Sequence, residues 1–199
     1  VNRTGAEQSL VMAGYAGPTR SDPDYTAIET LNTVLGGGFV SRLNMNLRED
    51  KHWSYGARSF AYDAGGQRPF LAYAPVQTDK TAEAIAEIRR EFAELVGKRP
   101  ATPEEVAMVK RTNTLSLPGQ WETGGAVLGS VSQIVQFGLP DDYWNNYAAT
   151  IRGVTPEQVN KAAKDQLRPE DLVMVVVGDR QVNEPKLKGL GFDSIQLIN

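Results

Sequence analysis

Apolar side chains recur along the chain with two different spacings, and each spacing predicts one kind of element. Short apolar or aromatic runs bounded by glycine, proline or polar turns are typical of strands, and they occupy residues 8–16, 54–63, 68–76 and 172–179. Between residues 80 and 97 the apolar side chains are three or four positions apart, which predicts an amphipathic helix. The same spacing predicts further helices over residues 23–35, 40–49, 122–137 and 141–152. A Thr-Pro start with Glu or Gln three residues after the threonine predicts two more, over residues 102–117 and from 155 onwards.

The order of these elements indicates the fold class. A strand, two helices, two strands, several helices and a final strand predict an α+β domain, with a mixed, mostly antiparallel sheet and helices packed against it. Residues 54–63 and 68–76 flank an Ala-Gly-Gly-Gln turn and are predicted to form a hairpin. The run at 172–179 is apolar on both faces, which predicts a central strand covered from both sides. Residues 194–198 are predicted as a short last strand, and we expect residues 1–199 to form a single domain.

Composition narrows the function classes. The 199 residues include 21 Lys and Arg against 24 Asp and Glu, with a pI near 5.3, which argues against a nucleic-acid partner. The absence of cysteine excludes disulfides, thiolate zinc ligands and cysteine nucleophiles. No apolar run approaches the roughly 20 residues of a membrane helix, so we expect a soluble protein, either periplasmic or cytoplasmic. Because the chain starts at Val1 without a signal-peptide pattern, we expect it to be part of a longer protein.

Residues 35–57 combine a glycine run with two side chains suited to holding a peptide carbonyl. Gly36, Gly37 and Gly38 follow a predicted helix, so they are interpreted either as a helix end with a hinge or as a flexible loop facing substrate. A nucleotide-binding loop would follow a strand and end in GK[ST], which this run does not. Arg48 offers a rigid fork of donors and Tyr55 one O–H, so together they could hold a carbonyl from two directions.

Other candidate sites have simpler interpretations. His52 is the only histidine, and its neighbours in the turn cannot all face one metal ion, which favours a solvated turn residue over a ligand. No G-x-S-x-G is present for a hydrolytic triad. The aromatic residues of the predicted hairpin are more typical of core and cross-strand pairs than of a ligand platform. Arg48 taken alone would be a cation that stabilises a helix C-terminus.

The order of several short motifs resembles a known family. GGG is followed by SRL, by LRED, and then by Tyr55, with six residues between Arg48 and Tyr55. PVQTDKTAEAI, TPEEVAMVK and VVVGD follow in that order. From about residue 8 to residue 180 this arrangement resembles the C-terminal half of the pitrilysin/insulinase family of zinc metallopeptidases, and its mitochondrial-processing-peptidase-like branch in particular. The turn before Tyr55 departs from the family pattern, because it is bulkier and more polar.

The resemblance implies a domain that is one of two similar halves closing around a peptide. Zinc would lie in the other half or in a partner subunit, on an H-x-x-E-H motif that is absent here, so no metal and no complete catalytic centre are expected in this chain. The expected partners are a peptide or unfolded polypeptide and the zinc-bearing half, with a dimer as the expected assembly. The family's backbone-binding arginine and tyrosine correspond to Arg48 and Tyr55. The sequence leaves two alternatives open, a catalytically silent scaffold or partner subunit of a heteromeric peptidase, and an unrelated α+β ligand-binding domain.

Overall fold

The computed structural model describes residues 1–198 and contains one four-stranded sheet. Its strands lie in the order β2-β3-β1-β4, and each neighbouring pair is antiparallel. The parallel component is a single bridge between Asn2 and Gly178. The strands are β1 Gln8–Gly17, β2 Arg58–Ala61, β3 Arg68–Gln77 and β4 Val173–Val177. The predicted α+β class and the hairpin, formed by β2 and β3, are confirmed.

Helices account for most of the remaining chain, and the predicted ones are confirmed. Two of them end in a wider π-helical turn, at Thr33–Gly37 and Met45–Asp50. The predicted capping boxes are present at Thr102 and Thr155. The helices are α1 Tyr25–Asn32, α2 Arg42–Asn44, α3 Thr81–Val96, α4 Pro103–Leu115, α5 Gly124–Phe137, α6 Tyr143–Gly153, α7 Pro156–Gln166 and α8 Arg180–Leu187, of which α8 is not predicted by periodicity.

The core lies on one face of the sheet. Along β3 every second side chain, from Phe70 to Val76, is buried against helices. Ile88 and Phe92 of α3 pack on that face, and burying each contributes about 1.5–3 kcal/mol. The opposite face, called the open face below, carries exposed or half-buried residues: Leu10, Met12, Phe60, Leu71, Tyr73, Pro75, Val173 and Val175.

Three strand predictions need correction. The run at 172–179 forms an edge strand of the described sheet, because β4 has β1 as its strand neighbour and its outer side bonds only to residues 1–3 near its end. Val173 on the open face is 67% exposed. The first hairpin strand begins at Arg58 rather than at Ser54, since the Ser54 hydroxyl donates to the Pro75 carbonyl at 2.6 Å and closes a bend before the strand. Residues 194–198 form no strand.

Gly36 permits a close contact between the end of the first helical segment and β2. It is buried in the π-helical turn, and a Cβ added there would overlap the backbone nitrogen and the hydroxyl of Ser59. The same hydroxyl donates to Asn32 Oδ1 at 2.8 Å, which fixes the contact from the other side. Only glycine fits at this position, so the first glycine of the run has a packing role.

We expect Gly36→Ala to lower the free energy of unfolding by about 3 kcal/mol, because the methyl group would push the helical turn away from β2. Chemical denaturation measures the loss. Gly65→Ala is the matched control, since nothing lies within 4 Å of a Cβ added at Gly65, and it should change stability by less than about 0.5 kcal/mol. Equal effects of the two substitutions would contradict the packing role.

Candidate functional site

The candidate site is the segment from Gly36 to Ser59, in which a helix end, a short helix, a bend and a strand follow one another. Gly37 is exposed at the end of the π-helical turn, and Gly38 is extended rather than helical. Whether these glycines are flexible remains a prediction. Leu43 and Leu47 are buried as the helical spacing predicts. Val40 was included in the helix predicted over residues 40–49, but it is exposed because it precedes the helix start at Arg42.

Asn44 joins the two ends of this segment. Its side chain is buried; Nδ2 donates to the Phe39 carbonyl at 2.7 Å, and Oδ1 accepts from the Ala57 amide at 3.2 Å. One side chain therefore holds both the glycine-rich side and the bend before β2. The sequence gives no signal for this role, because Asn44 lies in a helix where asparagine has no distinctive pattern.

Arg42 anchors the same segment to α4. Its guanidinium forms a two-point pair with Glu105, from Nε to Oε1 at 2.8 Å and from Nη2 to Oε2 at 2.7 Å. Burial alone would raise the pKa of the Glu105 carboxyl, yet the hydrogen bonds from Arg42 and from the Thr102 amide lower it below its usual value. This arginine is therefore structural, and it does not contribute to a binding surface.

Arg48 and Tyr55, the two predicted carbonyl-binding residues, are both accessible to solvent. The Arg48 side chain is 40% exposed, lies with its guanidinium carbon 4.8 Å from the centre of the Phe39 ring, and has Nε 3.3 Å from Glu49 Oε1. Tyr55 is 85% exposed and lies in the bend, ahead of the strand that it was predicted to open. Within residues 1–198 no hydrogen bond joins Arg48 to Tyr55. The structure thus places them in one segment without a hydrogen bond between them.

His52 has a structural role that the sequence interpretation missed. Its backbone is left-handed, with φ of 57°, and both its amide and its ring Nδ1 approach the Arg48 carbonyl, at 3.2 Å and 3.1 Å. Since a carbonyl only accepts, Nδ1 must carry the proton. His52 therefore caps the helical segment that ends beside Arg48. Left-handed backbone is uncommon for residues other than glycine, and although histidine adopts it more often than most, the local sequence does not predict it at this position.

The described part of the chain offers no metal site. Nowhere in residues 1–198 do three His, Cys, Asp or Glu side chains come together so that they could hold a metal ion. The residues of the segment supply a guanidinium and a phenol, which can donate hydrogen bonds but cannot generate a metal-bound nucleophile. Over the same residues, no helix has the length and apolar content needed to cross a membrane.

Comparisons with known proteins agree with the geometry. The family described as the peptidase M16 inactive domain matches residues 1–113. An uncharacterized zinc protease of Streptomyces coelicolor is 27% identical over 183 residues, which are 89% of this chain and 39% of that protein. The alpha subunit of the human mitochondrial-processing peptidase is 23% identical over 184 residues, 87% of this chain and 34% of that protein. The chain therefore spans well under half the length of these relatives.

Solved structures show the same fold. The peptidase M16 inactive domain from Pseudomonas fluorescens is 26% identical with a TM-score of 0.82, and the match covers 90% of this chain and 42% of that chain. A Bordetella parapertussis structure described as an inactive peptidase domain has a TM-score of 0.72 at 18% identity, and covers 88% of this chain and 94% of that chain. The Bordetella parapertussis chain is thus matched over nearly its whole length.

Asn44→Asp should lower the free energy of unfolding by about 2–3 kcal/mol, because the buried carboxylate cannot donate to the Phe39 carbonyl and loses its hydration. Thermal or chemical unfolding at neutral pH measures the loss. Asn145→Asp, at an exposed position of α6, is the matched control and should have little effect. A fully stable Asn44→Asp variant would show that the two ends of the segment are held by other contacts.

Proposed function

The chain belongs to the peptidase M16 inactive-domain family, and from this premise we propose that it is the half of a zinc peptidase that binds the substrate backbone and closes the proteolytic chamber. The predicted resemblance to the zinc-free C-terminal half of such peptidases is confirmed. In the proposed arrangement Arg48 and Tyr55 hold a peptide carbonyl. Zinc and its ligands belong to a companion half or a partner subunit.

The observation that carries the proposal is the exposure of Arg48 and Tyr55 on a rigidly packed segment. Asn44, Arg42 and His52 fix the backbone around the two residues, while both side chains keep donors free for a ligand. A preorganised donor is more effective than a mobile one, because no ordering is needed when charge develops on a carbonyl oxygen. In an enclosed site one such donor is worth about 3–4 kcal/mol of transition-state stabilisation.

The open face of the sheet supports a companion half as the partner. Met12, Leu71, Val173 and Val175 line a shallow apolar depression of about 450 Å³ on this face. Large exposed apolar patches mark interaction surfaces, and this one continues from the edge strand to the centre of the sheet. The relatives carry additional chain beyond the matched region, and one is named as a subunit of a processing peptidase. We infer that a zinc-bearing half, on the same chain or on another, covers the open face.

In the complete zinc-containing enzyme, the double variant Arg48→Gln, Tyr55→Phe should reduce peptide hydrolysis by about 100-fold or more, because both donors to the substrate carbonyl are lost. Turnover of a fluorogenic peptide measures the effect. Arg111→Gln with Tyr62→Phe is the matched control, since both residues are exposed outside the segment. Zinc content and melting temperature should stay as in the wild type.

Wild-type turnover in the Arg48, Tyr55 double variant would contradict the substrate-binding role. A different result would favour the catalytically silent scaffold: the complete wild-type protein has no hydrolytic activity, while its two halves still associate. The same experiment thus separates the two candidate functions.

Met12→Glu should weaken association with the zinc-bearing half by about tenfold or more, because a carboxylate at the centre of the open face would be desolvated on docking. Calorimetric titration of the two separately purified halves measures the change. Leu115→Glu is the control, as Leu115 is an exposed apolar residue of α4 away from the open face. If both substitutions leave the affinity unchanged, the open face is not the docking surface.

A further inference from the structure

A second cavity, which the proposed function does not use, lies between α1 and the α5–α6 pair. Its volume is about 520 Å³, and its walls come from three helices and from the loop after β1. Small residues of α5, among them Gly129, leave the space open between α1 and α6. Charged and aromatic side chains both line it, and this mixed lining suits a small ligand with polar and apolar parts.

Arg20 presents a buried donor to this cavity. It is only 7% exposed, its guanidinium carbon lies 3.5 Å from the centre of the Tyr25 ring, and Nη2 donates to the Tyr143 hydroxyl at 3.0 Å. Its Nε has no hydrogen-bond partner among residues 1–198, since the nearest carboxylate oxygen, Asp63 Oδ2, is 3.7 Å away. The other oxygen of Asp63 binds Arg68 at 2.6 Å. Arg20 is therefore held by Tyr25 and Tyr143, and its guanidinium lines the cavity with one buried N–H group unpaired among the described residues.

Glu29 provides a group of opposite charge in the same cavity. Its side chain is 38% exposed, and its nearest cation, Arg68 Nη2, is 3.9 Å away, beyond hydrogen-bond distance. Burial raises the pKa of the Glu29 carboxyl above its usual value, and the Arg68 guanidinium opposes this only in part. A cation bound beside Glu29 would favour its charged form.

The remaining wall is aromatic. Trp144 and Tyr147 of α6 and Tyr25 of α1 line the cavity, and their rings give an apolar surface on which a ligand side chain can pack. The Trp144 ring is fixed by a hydrogen bond from Nε1 to the Ser130 carbonyl at 3.0 Å and by edge contacts with Tyr143. The site thus combines the Arg20 guanidinium, two carboxylates, Glu29 and Asp63, of which Asp63 already pairs with Arg68, and an aromatic lining.

We propose that this cavity binds a free α-amino acid with a large apolar or aromatic side chain. The ligand carboxylate accepts from Arg20, its ammonium group donates to Glu29, and its side chain packs among Tyr25, Trp144 and Tyr147. Because the site already holds charges of both signs, a zwitterion fits it better than a simple anion or a simple cation does. The inference is independent of the proposed function.

Calorimetric titration of the 199-residue chain with L-phenylalanine tests the proposal. We expect saturable binding with a change in tryptophan fluorescence, because Trp144 lines the cavity. Two analogues test the two charged groups of the ligand separately: 3-phenylpropionate lacks the ammonium group and phenethylamine lacks the carboxylate. Each should bind at least about tenfold more weakly than L-phenylalanine, since each loses one charge-assisted hydrogen bond.

Gly129→Leu fills the cavity without disturbing the fold. Nothing lies within 4 Å of a Cβ added at Gly129, and leucine is a better helix former than glycine, so the melting temperature should be unchanged or raised while binding is lost. Gly125→Leu is the matched control in the same helix, because Gly125 also has open space around it and does not line the cavity. Glu29→Gln keeps the shape of the site and should weaken L-phenylalanine binding about tenfold or more.

Absence of saturable L-phenylalanine binding in the folded chain would overturn the proposal. Equal affinity for L-phenylalanine and 3-phenylpropionate would also overturn it, because Glu29 would then have no role. Loss of binding in Gly129→Leu with retention in Gly125→Leu would support it, and equal binding by both variants would place any ligand elsewhere.

Discussion

Burial of one face of the sheet against helices is the interaction on which the rest of the structure depends. The alternation along β3 places Phe70, Ala72 and Ala74 under the helices and leaves Leu71 and Tyr73 on the open face. A sheet covered on both sides needs no partner, whereas this one retains a continuous apolar surface that water solvates poorly. β4 shows the same asymmetry, because Val176 packs against the core while Val173 and Val175 lie on the open face.

Stability and recognition rest on different residues of the candidate site. Arg42 and Asn44 lie where their hydrogen bonds are partly or wholly shielded, so their loss would leave buried groups without partners. The exposed pair of Arg48 with Glu49 contributes at most about 1 kcal/mol, as is usual for surface ion pairs. Arg48 and Tyr55 are therefore free to change their contacts when a ligand arrives, at little expense in folding free energy.

Local sequence patterns predicted most of the helices and strands, whereas contacts between residues far apart in the sequence were not predicted. The α3 periodicity and the capping boxes at Thr102 and Thr155 depend on neighbours within a few residues, so the sequence was sufficient to find them. The edge position of β4 depends on the order of strands, which an apolar run cannot encode. The Arg42–Glu105 pair joins residues 63 positions apart, so no local pattern could predict it. Arg48 and Tyr55 were predicted from spacing and resemblance, yet no local signal identified the Asn44 contacts in the same segment.

In the proposed arrangement, closure of the open face would strengthen the carbonyl clamp formed by Arg48 and Tyr55. A guanidinium in water interacts weakly with a carbonyl, because the high dielectric constant screens its charge and water competes for its donors. The same donors become effective when a companion half excludes water from the space between the halves. The open face would supply docking free energy through its apolar area, and the clamp would then act in the dry chamber that docking creates. A half without metal ligands could in this way contribute to catalysis: its open face would bind the companion half, and its donors would then stabilise charge on the substrate carbonyl.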